Sequence, residues 1–203
     1  MYLAYIFAAL IGYFLGSIPF ALVIGKLFYK TDIRQYGSKN LGGGNAGRVL
    51  GKKAGLSVMT LDILKVTFAI FLTSFFPDRE LSMTIAGLFA ALGHCCPIFA
   101  HFKGGKAVAT MYGFLFGMAL FVPYSLWIFF FPLLVFLLVL YLGKIIALAS
   151  IGSAVANTIF IFLVYDSPYL FAASLIFTVI ILYRHRANLV RIAKHEENKI
   201  SWM

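Results

Sequence analysis

Residues Gly37 to Arg48 read Gly-Ser-Lys-Asn-Leu-Gly-Gly-Gly-Asn-Ala-Gly-Arg, a polar, glycine-dense, basic loop between two long apolar segments. Glycine lets backbone N–H groups converge on an anion, and Lys39, Arg48, Lys52 and Lys53 add positive charge around them. The chemistry this implies is the holding of phosphate. A second loop repeats the theme: in Phe102-Lys-Gly-Gly-Lys106 two lysines bracket two glycines, with a helix expected from Ala107. The positive end of that helix makes Gly104, Gly105 and Lys106 a second candidate anion site. The bland alternative is a lysine-bearing turn at a membrane surface.

Other residues that could do chemistry are few. Gly42-x-Gly44-x-x-Gly47 satisfies a dinucleotide-binding pattern, and Gly42 to Val49 approaches a P-loop, but neither lies in a strand-turn-helix context. His94 and His101 share a helix face without further ligands, so no metal site is expected. Cys95 and Cys96 match no metal or redox spacing. His185, Asn188 and Arg191, spaced by three, can face one pocket; they can equally form an interfacial amphipathic tail with Leu189, Val190 and Ile192 in lipid. Asp62 and Lys65 sit in an apolar run, where each charge costs about 2.5–3.5 kcal/mol at the bilayer centre. At i and i+3 they can neutralise each other, as a structural pair or as support for a site.

The elements that must position these residues are membrane helices. The 203 residues are 62% hydrophobic and 12% charged, with mean hydropathy +0.95, against about a quarter charged in soluble domains. Apolar runs near 2–25, 55–76, 81–101, 107–122, 124–142, 145–165 and 168–183 predict an all-α, polytopic membrane bundle of about seven transmembrane helices in one domain, 1–203. Pro123 and Pro132 predict a break or kink within 107–142. Of 17 Lys and Arg, 15 fall in 26–53, 103–106, at Lys144 and in 184–199, on alternate connections, while the opposite side has Arg79 alone. The positive-inside rule therefore expects the N-terminus outside and the C-terminus in the cytoplasm, with the first segment a retained helix. The net charge of +10 then belongs to one membrane face, suited to anionic lipid rather than nucleic acid. Gly12-x-x-x-Gly16 and Gly113-x-x-x-Gly117 are expected to pack helices closely.

Taken together, the polar clusters resemble the PlsY-type acyl-phosphate:glycerol-3-phosphate acyltransferases, bacterial inner-membrane enzymes. The similarity runs through Gly16-Ser-Ile-Pro-Phe20 with Lys26, Asp32-Ile-Arg34, Gly37-Ser38, Asn40, Gly42, Asn45, Arg48 and Leu50-Gly51-Lys52-Lys53. It continues through Asp62, Lys65, Gly93-His94, Pro97, Phe102 to Lys106, Val108-Ala-Thr110, Lys144 with Leu148-Ala-Ser150, Tyr183-Arg-His-Arg186, Asn188, Arg191, Glu197 and Asn198. It departs at Ala21, Lys39, Gly43-Gly44, Val66 and His195-Glu196, where members typically show Gly, Gly, Ala-Thr, Gly and Gly-Thr.

The resemblance implies transfer of a fatty acyl group from acyl phosphate to the 1-hydroxyl of glycerol 3-phosphate. The products are lysophosphatidic acid and phosphate, in the first acylation of bacterial phospholipid synthesis. No cofactor or metal is implied, because acyl phosphate is already an activated anhydride. The partners implied are the two substrates, the bilayer and the soluble enzyme that makes acyl phosphate, with the site facing the cytoplasm. On this footing Ser38, Lys106 and His185 are candidate catalytic residues, and Ser38, Arg48, Lys106, Ser150, His185 and Asn188 would hold glycerol 3-phosphate. Asn40, Gly42, Gly43, Asn45, Lys103, Gly104 and Gly105 would hold acyl phosphate, with Asp62, Lys65, Arg191 and Glu197 in support. The proton acceptor is either His185 or the phosphate of the donor. Two rivals fit less well. A transporter would place its site near the midplane with an internal repeat. A His-x-x-x-x-Asp acyltransferase fails because Phe99, Lys106, Val190 and Ile200 follow the histidines at that spacing.

Overall fold

A computed structural model of the protein describes residues 1–200. Among these the regular structure is entirely helical: α1 (Tyr2–Gly16), α2 (Phe20–Tyr29), α3 (Gly43–Leu50), α4 (Lys52–Thr73), α5 (Arg79–Cys95), α6 (Val108–Phe121), α7 (Trp127–Gly143), α8 (Ile146–Val164), α9 (Pro168–Arg184) and α10 (Arg186–Ala193), with 3-10 turns at Ile33–Gln35 and Ile98–Ala100. Four stretches are long and apolar enough to cross a membrane: Tyr2–Tyr29, Lys52–Thr73, Arg79–Ala100 and Ile146–Val164. The pair α9 and α10, bent by 58°, makes a fifth, and α6 and α7 are apolar but shorter.

The first apolar run, read as one segment, is two helices. Pro19 cannot donate a backbone hydrogen bond, so α1 ends before it and α2 starts after it. The break takes the Ile18 carbonyl out of the α-helical ladder, and it accepts from the Phe20 N–H at 3.2 Å and from Lys65 Nζ of α4 at 2.9 Å. In the 107–142 run the chain breaks at Val122–Leu126, next to Pro123, whereas Pro132 is accommodated inside α7. There the Pro132 carbonyl accepts from Tyr112 Oη at 3.1 Å.

Small residues set the helix spacing. A Cβ on Gly12 or Gly16 would lie 2.2 or 2.1 Å from the carbonyl oxygen of Ala86 or Ala90, so α1 lies backbone to backbone on α5. Gly113 meets α4 in the same way, 2.4 Å from the Ile63 oxygen. In lipid, such close approach supplies the dispersion contact that apolar side chains alone do not. The core proper is filled by Ile70, Met83, Met111, Phe114, Leu115, Met118, Phe177 and Ile181 from α4, α5, α6 and α9.

At one end of the bundle, Glu80 accepts from Tyr124 Oη at 2.6 Å and from the Ser167 hydroxyl, tying α5 to the two connections beside it. The opposite end holds the N-termini of α3, α4, α6 and α8 and the C-termini of α5 and α9.

Candidate active site

A cavity of about 280 Å³ opens at that second end. Its polar wall consists of Ser38, Asn40, Gly42, Gly43, Gly44, Asn45, Arg48, Asp62, His94, Lys106, Ser150, His185, Asn188 and Glu197. Its apolar wall is Met59, Ile63, Val108, Ala109, Tyr112, Phe129, Leu133, Phe136, Ile146 and Ala147, from α4, α6, α7 and α8. One cavity therefore grades from cationic and N–H-rich to greasy.

The glycine-rich loop becomes the N-terminus of α3. Gly42 is the cap and Asn45 and Ala46 donate back to its carbonyl at 3.1 Å, so Gly43 and Gly44 in the first turn have N–H groups to offer to the cavity. A Cβ on Gly43 would fall 2.3 Å from Met59 Cγ and 2.8 Å from the Gly55 oxygen, whereas one on Gly44 would meet nothing within 4 Å. Close packing fixes the first glycine, and open cavity faces the second. Gly51, at φ +97°, makes the sharp corner from α3 into α4 that an L side chain would resist.

Asn45 lines the cavity, but its side chain is engaged within the protein. Its Oδ1 accepts the Ser38 N–H at 2.8 Å, and its amide donates to the Ile33 and Tyr36 carbonyls, both at 3.2 Å. Both amide hydrogens are spent within the protein, so Asn45 staples the Ile33–Ser38 turn and has no donor left for a phosphate. The same turn opens on Asp32, which takes Arg34 in a two-pronged pair at 2.6 to 3.2 Å. That guanidinium holds the Asp32 carboxyl down at about 2.

The second loop packs behind the cavity wall. Gly104 and Gly105 are buried and do not line the cavity, and Lys103 is exposed beside them. The Gly105 N–H goes to the His94 carbonyl at 2.9 Å, and a Cβ on Gly105 would lie 1.9 Å from His94 Nε2. These glycines permit close packing, and the Gly105 N–H is spent on the His94 carbonyl. What reaches the cavity is Lys106. Arg184 fixes the turn by donating from Nε to the Gly105 oxygen and from Nη2 to the Gly104 oxygen, both at 3.0 Å.

Lys106 Nζ donates to Asn188 Oδ1; Asn188 Nδ2 donates to Glu197 Oε1 at 2.9 Å; Arg191 Nε donates to Glu197 Oε2 at 2.7 Å. Burial pushes the Lys106 ammonium down to about 8, with Glu197 opposing and Arg191 and Arg48 reinforcing the fall. His185 stands at the bend between α9 and α10, its Nδ1 2.9 Å from the Ile181 carbonyl. A carbonyl only accepts, so Nδ1 holds the proton and Nε2 is the atom left for the cavity. Ser150 lines the cavity while its hydroxyl donates to Ile146 at 2.8 Å.

Beneath the cavity, Lys65 Nζ lies 2.7 Å from Asp62 Oδ1 and 3.2 Å from His94 Nδ1. Both charged side chains are 2% exposed. Lys65 does not line the cavity, and neither does Arg191, which acts on Glu197 from behind. Among the described residues no cluster of His, Cys, Asp or Glu could hold a metal ion.

Comparison with known proteins places this geometry. A model described as glycerol-3-phosphate acyltransferase matches residues 6–195. A glycerol-3-phosphate acyltransferase of Staphylococcus haemolyticus is 46% identical over 202 residues, covering 96% of each chain. One from Bacillus subtilis is 44% identical over 194 residues, again 96% of each. Two crystal structures of PlsY (YgiH), an integral membrane glycerol 3-phosphate acyltransferase, superpose on the fold. The glycerol 3-phosphate form gives a TM-score of 0.89 at 34% identity, covering 97% of this chain and 96% of that one. The lysophosphatidic acid form gives 0.86 at 33%, covering 97% and 95%. The chain belongs to the glycerol-3-phosphate acyltransferase family of integral membrane enzymes of phospholipid synthesis.

Proposed function

We propose that the protein transfers a fatty acyl group from acyl phosphate to the 1-hydroxyl of glycerol 3-phosphate, releasing lysophosphatidic acid and phosphate. The observation that carries this reading is the single cavity whose α3 N–H groups and Lys106–Asn188 pair stand against an apolar wall from α4, α6, α7 and α8. Two phosphorylated reactants, one with a lipid tail, need that gradient.

The acyl-phosphate head lies at Gly42 to Gly44, where helix-terminal N–H groups and Asn40 meet the leaving phosphate. The tail follows Ile63, Tyr112, Phe129 and Phe136. The phosphate of glycerol 3-phosphate sits among Lys106, Arg48, Ser38, His185 and Asn188, with Ser150 turning its hydroxyl to it on binding. The 1-hydroxyl oxygen attacks the acyl carbon, the bond from that carbon to the phosphate oxygen breaks, and the proton leaves on the departing phosphate. His185 Nε2 binds and orients the acceptor rather than serving as the base. Placement of two reactants in near-attack geometry, and charge stabilisation, supply the rate.

On this reading seven segments cross the bacterial inner membrane, α1 with α2 counted as one, with the N-terminus outside and the cavity open to the cytoplasm. The basic residues cluster at the cavity end, as the positive-inside rule requires. The one domain contains the whole site, and the soluble enzyme that makes acyl phosphate would deliver its product from the cytoplasm.

The test is purified protein in detergent with labelled glycerol 3-phosphate and acyl phosphate, acyl-CoA or acyl-carrier protein, each with EDTA. Product is expected from acyl phosphate alone. Product only from a thioester, or only without chelator, would overturn the reading.

A further inference from the structure

Asp62 presents an anomaly. Its side chain is 2% exposed and it lines the cavity, yet among the described residues neither carboxylate oxygen receives a well-directed hydrogen bond, and Oδ2 has no partner at all. Lys65 Nζ stands 2.7 Å from Oδ1 but out of line for a hydrogen bond, and its well-directed donations go to Ile18 and His94. His94 Nδ1, 3.6 Å from Oδ1, is itself occupied by Lys65. A carboxylate has about four lone-pair positions, and buried acceptors of this kind in native proteins are satisfied by something. The charge is balanced by Lys65, and the hydrogen bonds are missing.

The position of Asp62 indicates what supplies them. One turn before it on α4, Met59 packs against Gly43 at the N–H end of α3; one residue after it, Ile63 carries the apolar wall on toward α6. Asp62 thus faces the junction where a phosphate-bearing head gives way to an acyl chain. The Lys65 ammonium already balances the charge of Asp62, and anionic groups are repelled from a carboxylate, so the donor that fits the open side is a neutral one. On the reading of the site given above, acyl phosphate carries no hydroxyl, and glycerol 3-phosphate carries two. The proton of the 1-hydroxyl has to leave during transfer. The hydroxyl able to stay on a carboxylate from binding to release is the other one.

We infer that Asp62 accepts a hydrogen bond from the 2-hydroxyl of glycerol 3-phosphate and so fixes which end of the three-carbon backbone turns toward the acyl donor. Asp62 is then a substrate-binding residue, and Lys65, with His94 behind it, is a positioning residue that holds the carboxylate in place. This rests on the proposed acceptor, and not on the identity of the acyl donor.

The experiment compares glycerol 3-phosphate with 3-hydroxypropyl phosphate, which lacks only the 2-hydroxyl. Wild-type kcat/KM should favour the natural acceptor about tenfold or more, as loss of a hydrogen bond to a charged partner does. Asp62→Leu combined with Lys65→Met, which leaves no buried ammonium unpaired, should bring the ratio close to one, with Asp62→Asn between. A ratio of kcat/KM values does not depend on how much of a variant is folded. If the variants turn over neither substrate, the ratio of dissociation constants for the two phosphates, by titration calorimetry of wild type and variants, reads the same coupling. Equal use of both substrates by the wild type, or an unchanged ratio in the variants, overturns the inference. Failure of acyl phosphate as donor would sink the reaction proposed above while the calorimetric ratio still decides the part played by Asp62.

Discussion

Lys106 and Asn188, 82 positions apart, are joined by a hydrogen bond that closes one wall of the cavity, from the ammonium to the amide oxygen. The bond continues through the Asn188 amide to Glu197, so a lysine driven toward neutrality by burial is met by a carboxylate one residue removed.

The pH dependence of acceptor binding follows from this lysine. Its ammonium is lowered from 10.5 to about 8, so the empty site loses that charge as pH rises through about 8. The folded protein then binds fewer protons than the unfolded chain between about 8 and 10.5. Folding stability consequently increases across that interval while anion affinity declines. KM for glycerol 3-phosphate, measured from pH 6 to 9.5, should climb above about pH 8, with kcat at saturation changing less because bound dianion retains the proton. A KM flat to pH 9.5 would refute the role given to Lys106.

Arg184 does not line the cavity; it fixes the turn that leads to Lys106. Arg184→Lys keeps the charge but loses the fork that reaches the Gly104 and Gly105 oxygens together. Two charge-assisted hydrogen bonds at about 1.5–3 kcal/mol each place an upper bound on the loss. A fall in kcat/KM of about tenfold, with the circular dichroism spectrum intact, is the expected result.

The glycines divide into two kinds that thermal unfolding can separate. Gly105→Ala drives a methyl into His94 Nε2, and that ring cannot swing aside because Nδ1 is tied to Lys65 at 3.2 Å. The melting temperature should drop, by about 1–3 kcal/mol of overpacking. Gly44→Ala meets open space in the first turn of a helix, and should raise stability by about 0.5–1 kcal/mol through reduced chain entropy. Equal melting temperatures for the two variants would contradict the packing described.

Sidedness can be read with a membrane-impermeant thiol reagent on intact cells and inverted vesicles, in a background lacking Cys95 and Cys96. A cysteine at Lys103 should label only in inverted vesicles, and one at Asp166 only in cells. The reverse pattern would place the cavity outside.

The helical class, the apolar segments and the two glycine-rich loops are legible in the sequence because each is local: apolar length, proline and charge asymmetry act over a few residues. The mixed fate of the loops is not local. Nothing in Lys103-Gly104-Gly105 reveals that a histidine ring fills the space its missing side chains leave, or that Asn45 gives both amide hydrogens to carbonyls 9 and 12 residues back. The Arg184 clamp and the Tyr112, Phe129 and Phe136 wall were likewise hidden, since a run as uniformly apolar as α7 carries no stripe to say which face is inward. The pairing of Asp62 with Lys65 was readable from spacing; the open side of its carboxylate was not.

The cavity wall at Glu197 is completed by chain that follows every apolar helix, held there by Arg191 and by the Ile200 N–H on the Lys144 carbonyl at 2.8 Å. During synthesis all the hydrophobic segments can therefore enter the bilayer before the pocket is whole. A message cut short just after α10 would yield a fully inserted protein that lacks one side of its own reaction chamber, and fractionation alone would score such a product as normal.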